Sequence, residues 1–552
     1  MLRDLLRVLA LWRLRIGWLL AGGAVALVAA LAGLALLGLA GRGVADGLRE
    51  GALFAGGAGM TLLLLRPVVA LRPVARYLER LATHEATFRA LADTRVWFFG
   101  RLAQRLPAGI GLRRMGDLLG RLVADVEALD GLYLRALVPA AAGLAVVTGI
   151  ALVLGAASVT LAAIVVLPLA IALLLPPLLA PRAARAAEGV ALCRGGLRAA
   201  VIDPLTGIED TLAANAEARA ARRVAEESAA LAAAERRLTT SAAMGGAAGS
   251  LLTRAALLGA IAWGISMGEA GVAPAVIAAF LAVASAEALG LMPRAGAALA
   301  AAGAAARRLF EAADTPVPVP DPAAPAPMPE RHALRIEGLH FGWAPDRPRV
   351  FDGLDLDLPE GARIALLGPS GAGKSTLAAL LLKLAAPAAG RITLGGTDIA
   401  ALPAAAVRSR ICCLTQDARL FDDSIAANLR LAAPEAEDAA LWQALDRARI
   451  GDLVRALPDG LETRVGEAGA RFSGGQARRL ALARTLLSPA PVLILDEPAA
   501  GLDAATERAF LETLDSATAG RSVILIAHRL MGVERPTRIL RLIGGRAIPA
   551  MG

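Results

Sequence analysis

The sequence predicts two parts: a six-span α-helical membrane domain, then a soluble α/β domain built around a phosphate-binding loop. Three observations predict this. Hydrophobic residues make up 56% of the 552 positions but aromatics only 3%, and an apolar content of Ala, Leu, Val and Gly is typical of membrane helices. Charge-free runs of spanning length recur through the first half of the chain. A proline-rich stretch then gives way to short apolar strands alternating with helical segments, the pattern of an α/β domain.

The first span is Ile16–Gly41, 26 residues without a charge and too long for the core of a cleavable signal. Gly51–Leu65 is a shorter second run that ends on Arg66. Ala136–Pro181 is 46 charge-free residues, enough for two spans with a tight turn at "GAAS", Gly155–Ser158. The fifth span, Leu238–Gly268, is interrupted only by Arg254, and the sixth, Ala270–Pro293, only by Glu287. Those two charges are expected to form an interhelical ion pair. The first 15 residues hold Arg3, Arg7, Arg13 and Arg15 against Asp4, and segments 66–135 and 182–237 are long and arginine-rich. The remaining loops are short and balanced, uncharged or acidic. The positive-inside rule therefore places both termini, both long segments and the soluble domain in the cytoplasm. The long segments read as helical continuations of the spans.

The membrane domain is assigned to residues 1–313. "DTPVPVPDPAAPAPMPE", Asp314–Glu330, holds seven prolines and is an extended linker (314–330). The soluble domain is 331–552. Lys374 and Lys383 are the only lysines, so the net charge of +9 is carried by arginine. Basic loops beside membrane lipid account for that charge, and no nucleic-acid partner is expected. Cys193, Cys412 and Cys413 have neither disulfide nor metal-ligand spacing, which fits a reducing compartment.

"GPSGAGKST", Gly368–Thr376, fits the phosphate-loop pattern, follows the strand "RIALL" and precedes an apolar helix. Gly368, Ser370, Gly371, Ala372, Gly373 and Thr376 form a loop whose backbone N–H groups surround phosphate at a helix N-terminus. Lys374 reaches the β- and γ-phosphates and Ser375 holds Mg²⁺. The cofactors expected are ATP and Mg²⁺. "VLILDEP", Val492–Pro498, supplies Asp496 as a second Mg²⁺ ligand and Glu497 to polarise the attacking water.

"RFSGGQARRLALAR", Arg471–Arg484, resembles the LSGGQ signature of ATP-binding cassette (ABC) proteins, with Phe472 in place of Leu. The resemblance extends through the soluble domain. Gln416 in "LTQDARLF" is similar to the Q-loop glutamine that meets Mg²⁺, and Asp503 in "AAGLDA" to the D-loop aspartate. His528 in "IAHRL" resembles the switch histidine that contacts the γ-phosphate. Trp343 in "HFGW" stands where the family usually stacks a tyrosine on adenine. In this family the signature of one domain closes over nucleotide held by another. Ser473, Gly474, Gly475 and Gln476 are thereby implied to complete a partner's site, and one chain alone carries half of what is needed.

Six spans fused ahead of one ATPase domain resemble the exporter-type half-transporter. Helices coupling the two parts are then expected near Pro107–Arg114 and Asp203–Ile208. "MLRDLLRVLALWR", "RYLERLATHEATFRALADTRVWFF" and "RLVADVEALDGLYLR" narrow the resemblance to the CydC family, subunits of the heterodimeric CydDC exporter. That implies a CydD-like partner, a bacterial inner membrane, and ATP-driven export of glutathione and cysteine in support of cytochrome bd assembly. Haem is implied as a further bound ligand or cargo. Two rival readings stand: a homodimeric lipid or drug exporter, and a regulatory membrane ATPase that senses a ligand.

Arg66, Pro73, Tyr77, Arg80 and His84 share one helical face. Its cations, phenol and imidazole suit an anionic ligand, or haem with propionates on arginine and His84 on the iron. A solvated basic stripe, or contact with a partner subunit, are the other readings.

Overall fold

The computed structural model describes residues 1–50, 56–105, 120–344, 347–369, 371–416, 418–499 and 504–550. The chain forms two compact units, a helical one drawn from residues 1–104 and 120–315 and an α/β one drawn from residues 316–550.

The helical unit comprises α1 (Leu2–Leu11), α2 (Ile16–Glu50), α3 (Gly56–Ala103), α4 (Val138–Ala157), α5 (Val159–Thr206), α6 (Ile208–Ala213), α7 (Glu217–Ser266), α8 (Glu269–Leu289) and α9 (Met292–Ala313). Ser158 alone separates α4 from α5. Its backbone is extended and its Oγ accepts the Leu161 N–H, so the predicted turn is one capping residue. α5 and α7 run 48 and 50 residues, far beyond the apolar runs that begin or end them. α5 ends at Thr206, and after Gly207 the short α6 begins inside the second expected coupling segment. The first, Pro107–Arg114, lies outside the described residues.

Five helical stretches among the described residues are long and apolar enough to cross a membrane: Leu2–Arg49, Leu122–Ala157, Val159–Pro176, Glu217–Ser266 and Glu269–Ala313. They contain five of the six expected spans. The second, Gly51–Leu65, is not among them; residues 51–55 lie outside the described residues, and the rest opens α3.

Close packing of α2 on α3 shows where α3 lies beside the first span. A Cβ on Gly22 would sit 3.3 Å from Thr83, one on Gly33 3.7 Å from Arg72, and one on Gly43 3.5 Å from Thr61. The helices are antiparallel, and at one residue of rise for each residue the charge-free run Ile16–Gly41 lies alongside roughly residues 64–89. The charged stretch of α3, assigned from sequence to the region beyond the membrane, therefore flanks the first span. A search for charge-free length misses it because it carries charges, of which Arg72 and Arg76 are met by Glu287 of a neighbouring helix. Glu287 of α8 pairs with Arg72 and Arg76 of α3, not with Arg254 as expected, and Arg254 is exposed.

At the end of the unit, Arg7 of α1 makes two hydrogen bonds of 2.7 and 2.8 Å to Asp314, just past α9, and lies 3.8 Å over the Phe310 ring. This fork-to-fork pairing fixes the end of α9.

The α/β unit holds two sheets. β1 (Leu334–Phe341), β2 (Phe351–Leu358), β4 (Ala389–Leu394) and β5 (Thr397–Asp398) make an antiparallel one in the order β2-β1-β4-β5. The other, ordered β10-β9-β3-β8-β7-β6, contains β3 (Arg363–Leu367), β6 (Ile411–Leu414), β7 (Val492–Asp496), β8 (Ser522–Ala527), β9 (Arg538–Ile543) and β10 (Arg546–Pro549). Only β9–β10 is antiparallel in it. β7 is buried on both faces: Val492 and Ile494 enter one core, Leu493 and Leu495 the other. Cys412 and Cys413 on β6 are free thiols, and burial pushes that of Cys413 up to about 12, so it is unreactive. Part of the proline-rich stretch is held on this unit. Asp321 accepts the Ala404 N–H at 2.7 Å, the Ala326 N–H donates to the Ala401 carbonyl, and Met328 packs on the core.

Candidate functional site: a phosphate loop with a shared carboxylate

β3, β8 and β7 lie side by side and parallel, with Leu367 opposite Ala527 and Asp496 opposite Ile526. Three chain segments distant in sequence therefore emerge together at one sheet edge, where α/β proteins bind ligands. Gly368 follows β3, Glu497 follows β7 and His528 follows β8.

The loop after β3 turns into α10 (Lys374–Leu381) through Gly371 and Gly373, whose φ angles are +82° and +101°. Gly373 has no alternative: a Cβ there would meet Val350 at 2.5 Å and the Phe351 ring at 3.0 Å. Lys374 is buried, and its Nζ donates to the Gly368 carbonyl at 2.7 Å across the loop. Ser375 Oγ donates to Asp496 Oδ2 at 3.2 Å. Burial pushes the Asp496 carboxyl up, the Ser375 bond, Lys374 and Arg478 oppose this, and Glu497 adds to it. A buried carboxylate beside a hydroxyl is an oxygen donor set that fits a hard cation such as Mg²⁺. Trp343 Nε1 donates to Thr376 Oγ1 at 3.2 Å, and the Trp343 ring stands edge-on to Phe341 and about half exposed beside the loop. Ser370 and Asp503 lie outside the described residues; Ala372 sits within the turn and packs on the core.

Glu497 is the meeting point. His528 Nε2 lies 2.6 Å from its Oε1, and Gln416 Nε2 donates to its Oε2 at 3.3 Å. Its backbone is left-handed, with φ +49°. Such strain persists only where neighbours hold it. Here the Glu497 N–H donates to the Ile526 carbonyl at 2.9 Å, and the Arg478 guanidinium donates to the Glu497 carbonyl at 2.7 Å.

Arg478 was not singled out by sequence. It lies on α11 (Gly474–Leu487), the helix opened by the signature. It also donates to the carbonyls of Thr415, Gln416 and Asp496. One side chain thus ties the signature helix to the backbone of both segments that carry site carboxylate and amide. Among dozens of arginines its sequence position is no signal. We expect Arg478→Ala to lower kcat of the assembled complex by about tenfold or more with little change in KM, and Arg478→Lys to fail as a rescue because an ammonium has no fork. Steady-state ATP hydrolysis checks this.

At the start of α11, Ser473 and Gln476 close a capping box on one another, at 2.9 and 3.3 Å, while Ser473 and Gly474 face solvent.

The residues of the second candidate site are spread along α3. Arg66, Tyr77, Arg80 and His84 are all exposed. Arg66 and His84 are 18 residues apart on a continuous helix, about 27 Å, so one small ligand does not bridge them. Tyr77, Arg80 and His84 span two turns. His84 Nδ1 lies 2.9 Å from the Arg80 carbonyl, and its ring meets Phe88 edge-on at 5.9 Å.

An ABC transporter family model matches residues 351–500, the segment that carries the loop, Gln416, the signature and Glu497. Over 560 aligned residues the chain is 33% identical to the glutathione/L-cysteine transport system ATP-binding/permease protein CydC of Escherichia coli K12, covering 99% of this chain and 96% of that one. This chain belongs to the CydC/CydD family of ABC transporters. The CydD protein of Bacillus subtilis is 30% identical over 88% of this chain and 86% of its own length. A bacterial Atm1-family ABC exporter with ATP bound matches the whole fold at a TM-score of 0.84 and 27% identity, covering 96% of this chain and 94% of that one. The ATP-dependent lipid A-core flippase of Ralstonia nicotianae is 39% identical, but over only 45% of this chain and 42% of its own length. This CydC/CydD-family chain is a multi-pass membrane exporter subunit whose α/β domain binds ATP, and ATP hydrolysis coupled to transport is its activity.

Proposed function

We propose that the chain is the CydC-like half of a heterodimer that exports reduced thiols, glutathione and L-cysteine, across the bacterial inner membrane, with both termini and the ATPase domain in the cytoplasm. Supply of reductant for cytochrome bd assembly is the physiological role. The observation that carries this reading is the full-length similarity to CydC, where the lipid exporter's similarity is confined to under half the chain. Lys374 and the loop from Gly368 to Thr376 hold the phosphates, and Trp343 stacks on adenine. Ser375, Gln416 and Asp496 would hold Mg²⁺, which would supply charge neutralisation at the phosphates. Glu497 draws the proton from water, and His528 contacts the γ-phosphate. Ser473, Gly474, Gly475 and Gln476, at a helix N-terminus where Ser473 and Gly474 are exposed, meet nucleotide on the CydD-like partner, and Asp503 lies at that interface. The loop-charge asymmetry supports the orientation.

Sealed inverted vesicles of the co-expressed pair test the cargo. ATP-dependent uptake of glutathione and L-cysteine is expected. Uptake of neither, with lipid or drug transport in its place, would falsify the thiol reading, and ATP turnover with no transported ligand would favour the sensing ATPase.

Haem is supported as a second ligand by one contact. A metal-binding imidazole ordinarily donates one ring N–H to a carbonyl, which fixes the tautomer and frees the other nitrogen. The Arg80 carbonyl holds His84 Nδ1 in that way, leaving Nε2 for iron, with Arg80 for a propionate. We expect His84→Ala to abolish the haem absorption band of the complex and to lower stimulation of hydrolysis by haem. An unchanged spectrum would leave His84 as a histidine on a basic helix face.

A further inference from the structure

We infer that Thr376 is a positioning residue for the nucleotide base: its hydroxyl pins the Trp343 indole in place, so that base affinity depends on a side chain of the phosphate loop. The inference deepens the proposed stacking of Trp343 on adenine and rests on it.

Trp343 lies two residues past the end of β1, where Phe341 is buried in the core. Its ring meets the Phe341 ring edge-on, with centroids 5.1 Å apart and planes at 83°. Nε1–H is the single polar group of an indole, and here it donates to Thr376 Oγ1 at 3.2 Å. The ring is thereby held at two points while the residue stays 44% exposed. An indole carries its donor on the flank of the ring, so this bond leaves the π faces free to stack. A loose aromatic side chain must be ordered when a ligand binds, and that ordering lowers affinity. Trp343 is ordered beforehand.

Thr376 is suited to this part. It is the third residue of α10 and only 9% exposed, and a β-branched side chain on a helix has few rotamers. A helical threonine hydroxyl commonly turns back to a carbonyl of the preceding turn. The Thr376 hydroxyl instead takes a donor 33 residues away in sequence. Accepting the indole N–H leaves the hydroxyl its own proton to donate. The surface for the base and the loop for the phosphates are therefore joined through one oxygen, two residues along α10 from Lys374.

The test uses the co-expressed heterodimer on ice, with trace 2-azido-ATP as the probe. Light attaches the probe covalently, and electrophoresis separates label on this chain from label on its partner. Unlabelled ATP and tripolyphosphate, which has no base, are titrated as competitors. Thr376→Val keeps the shape and loses the acceptor. It should raise the half-displacing concentration of ATP by about threefold to tenfold more than that of tripolyphosphate, the effect of one hydrogen bond. Thr376→Ser should restore it. Trp343→Phe keeps a ring without the N–H and should weaken ATP to a similar extent. Adding Thr376→Val to Trp343→Phe should then weaken ATP no more than tripolyphosphate. Trp343→Phe leaves the loop intact, so it tests the inference even where Thr376→Val fails to assemble. Wild-type ATP affinity in Trp343→Phe, or equal loss of ATP and tripolyphosphate in Thr376→Val, overturns the inference. Trp343→Ala separates it from the stacking reading. ATP weakened relative to tripolyphosphate in that variant upholds stacking whatever Thr376 does, and unchanged ATP affinity overturns stacking and positioning together.

Discussion

Replacing Glu497 with glutamine stops turnover and traps ATP in the assembled complex. The carboxylate is the proposed proton acceptor at the edge shared by β3, β7 and β8, and loss of a positioned general base lowers kcat by about 10²–10⁴-fold. The fold should survive. Glutamine has the same shape, its amide oxygen can still accept from Gln416, and the strained backbone is held by Ile526 and Arg478 whatever the side chain. Binding is retained because Lys374, the loop N–H groups and Asp496 are untouched. Phosphate release and nucleotide retained through gel filtration measure the two effects. Near-normal hydrolysis at this site in Glu497→Gln would remove Glu497 from the mechanism.

The second large effect is on assembly. The purified chain alone should hydrolyse ATP at least about 10²-fold more slowly than the pair, the scale on which loss of preorganised donors slows a reaction. The reason is the proposed shared site, in which the signature of one domain closes over nucleotide held by another. Ser473 and Gln476 spend their hydrogen bonds on each other, and Ser473 and Gly474 at the N-terminus of α11 are exposed. Adding the CydD-like partner should restore the rate, and Ser473→Ala should then lower hydrolysis of nucleotide bound by the partner. Hydrolysis by the lone chain that is fast and independent of its concentration would overturn the shared-site arrangement.

The ATP site was legible in sequence because phosphate chemistry constrains it so narrowly. A loop of glycines needs positive φ, a point charge needs lysine, and a metal needs an acidic strand end; each leaves a fixed letter at a fixed spacing. Gln416, Glu497 and His528 could be named one by one, but their convergence comes from strand order, which no local pattern encodes. Arg478 left no trace because its partners are backbone carbonyls, and any sequence supplies those. The membrane domain was legible wherever lipid contact demands apolar side chains. It was not legible in α3, where Arg72 and Arg76 are answered by Glu287 of another helix. Glu287 was seen as an intramembrane charge, yet its partner was assigned to Arg254 for want of any signal distinguishing one arginine from another. Helical spacing put Arg66 and His84 on one expected face, but a shared face says nothing of the 27 Å or so between them.

The proline-rich stretch has less slack than its length implies. Asp314 is clamped by Arg7 at one end, and Asp321 is fastened to the α/β unit at the other. Six residues remain between them, three of them proline, and the prolines restrict the backbone of that segment. A connection so short and so restricted has little play. Replacing Pro316, Pro318 and Pro320 with glycine would introduce backlash: the ATPase would still fire, but part of each stroke would be absorbed in the joint.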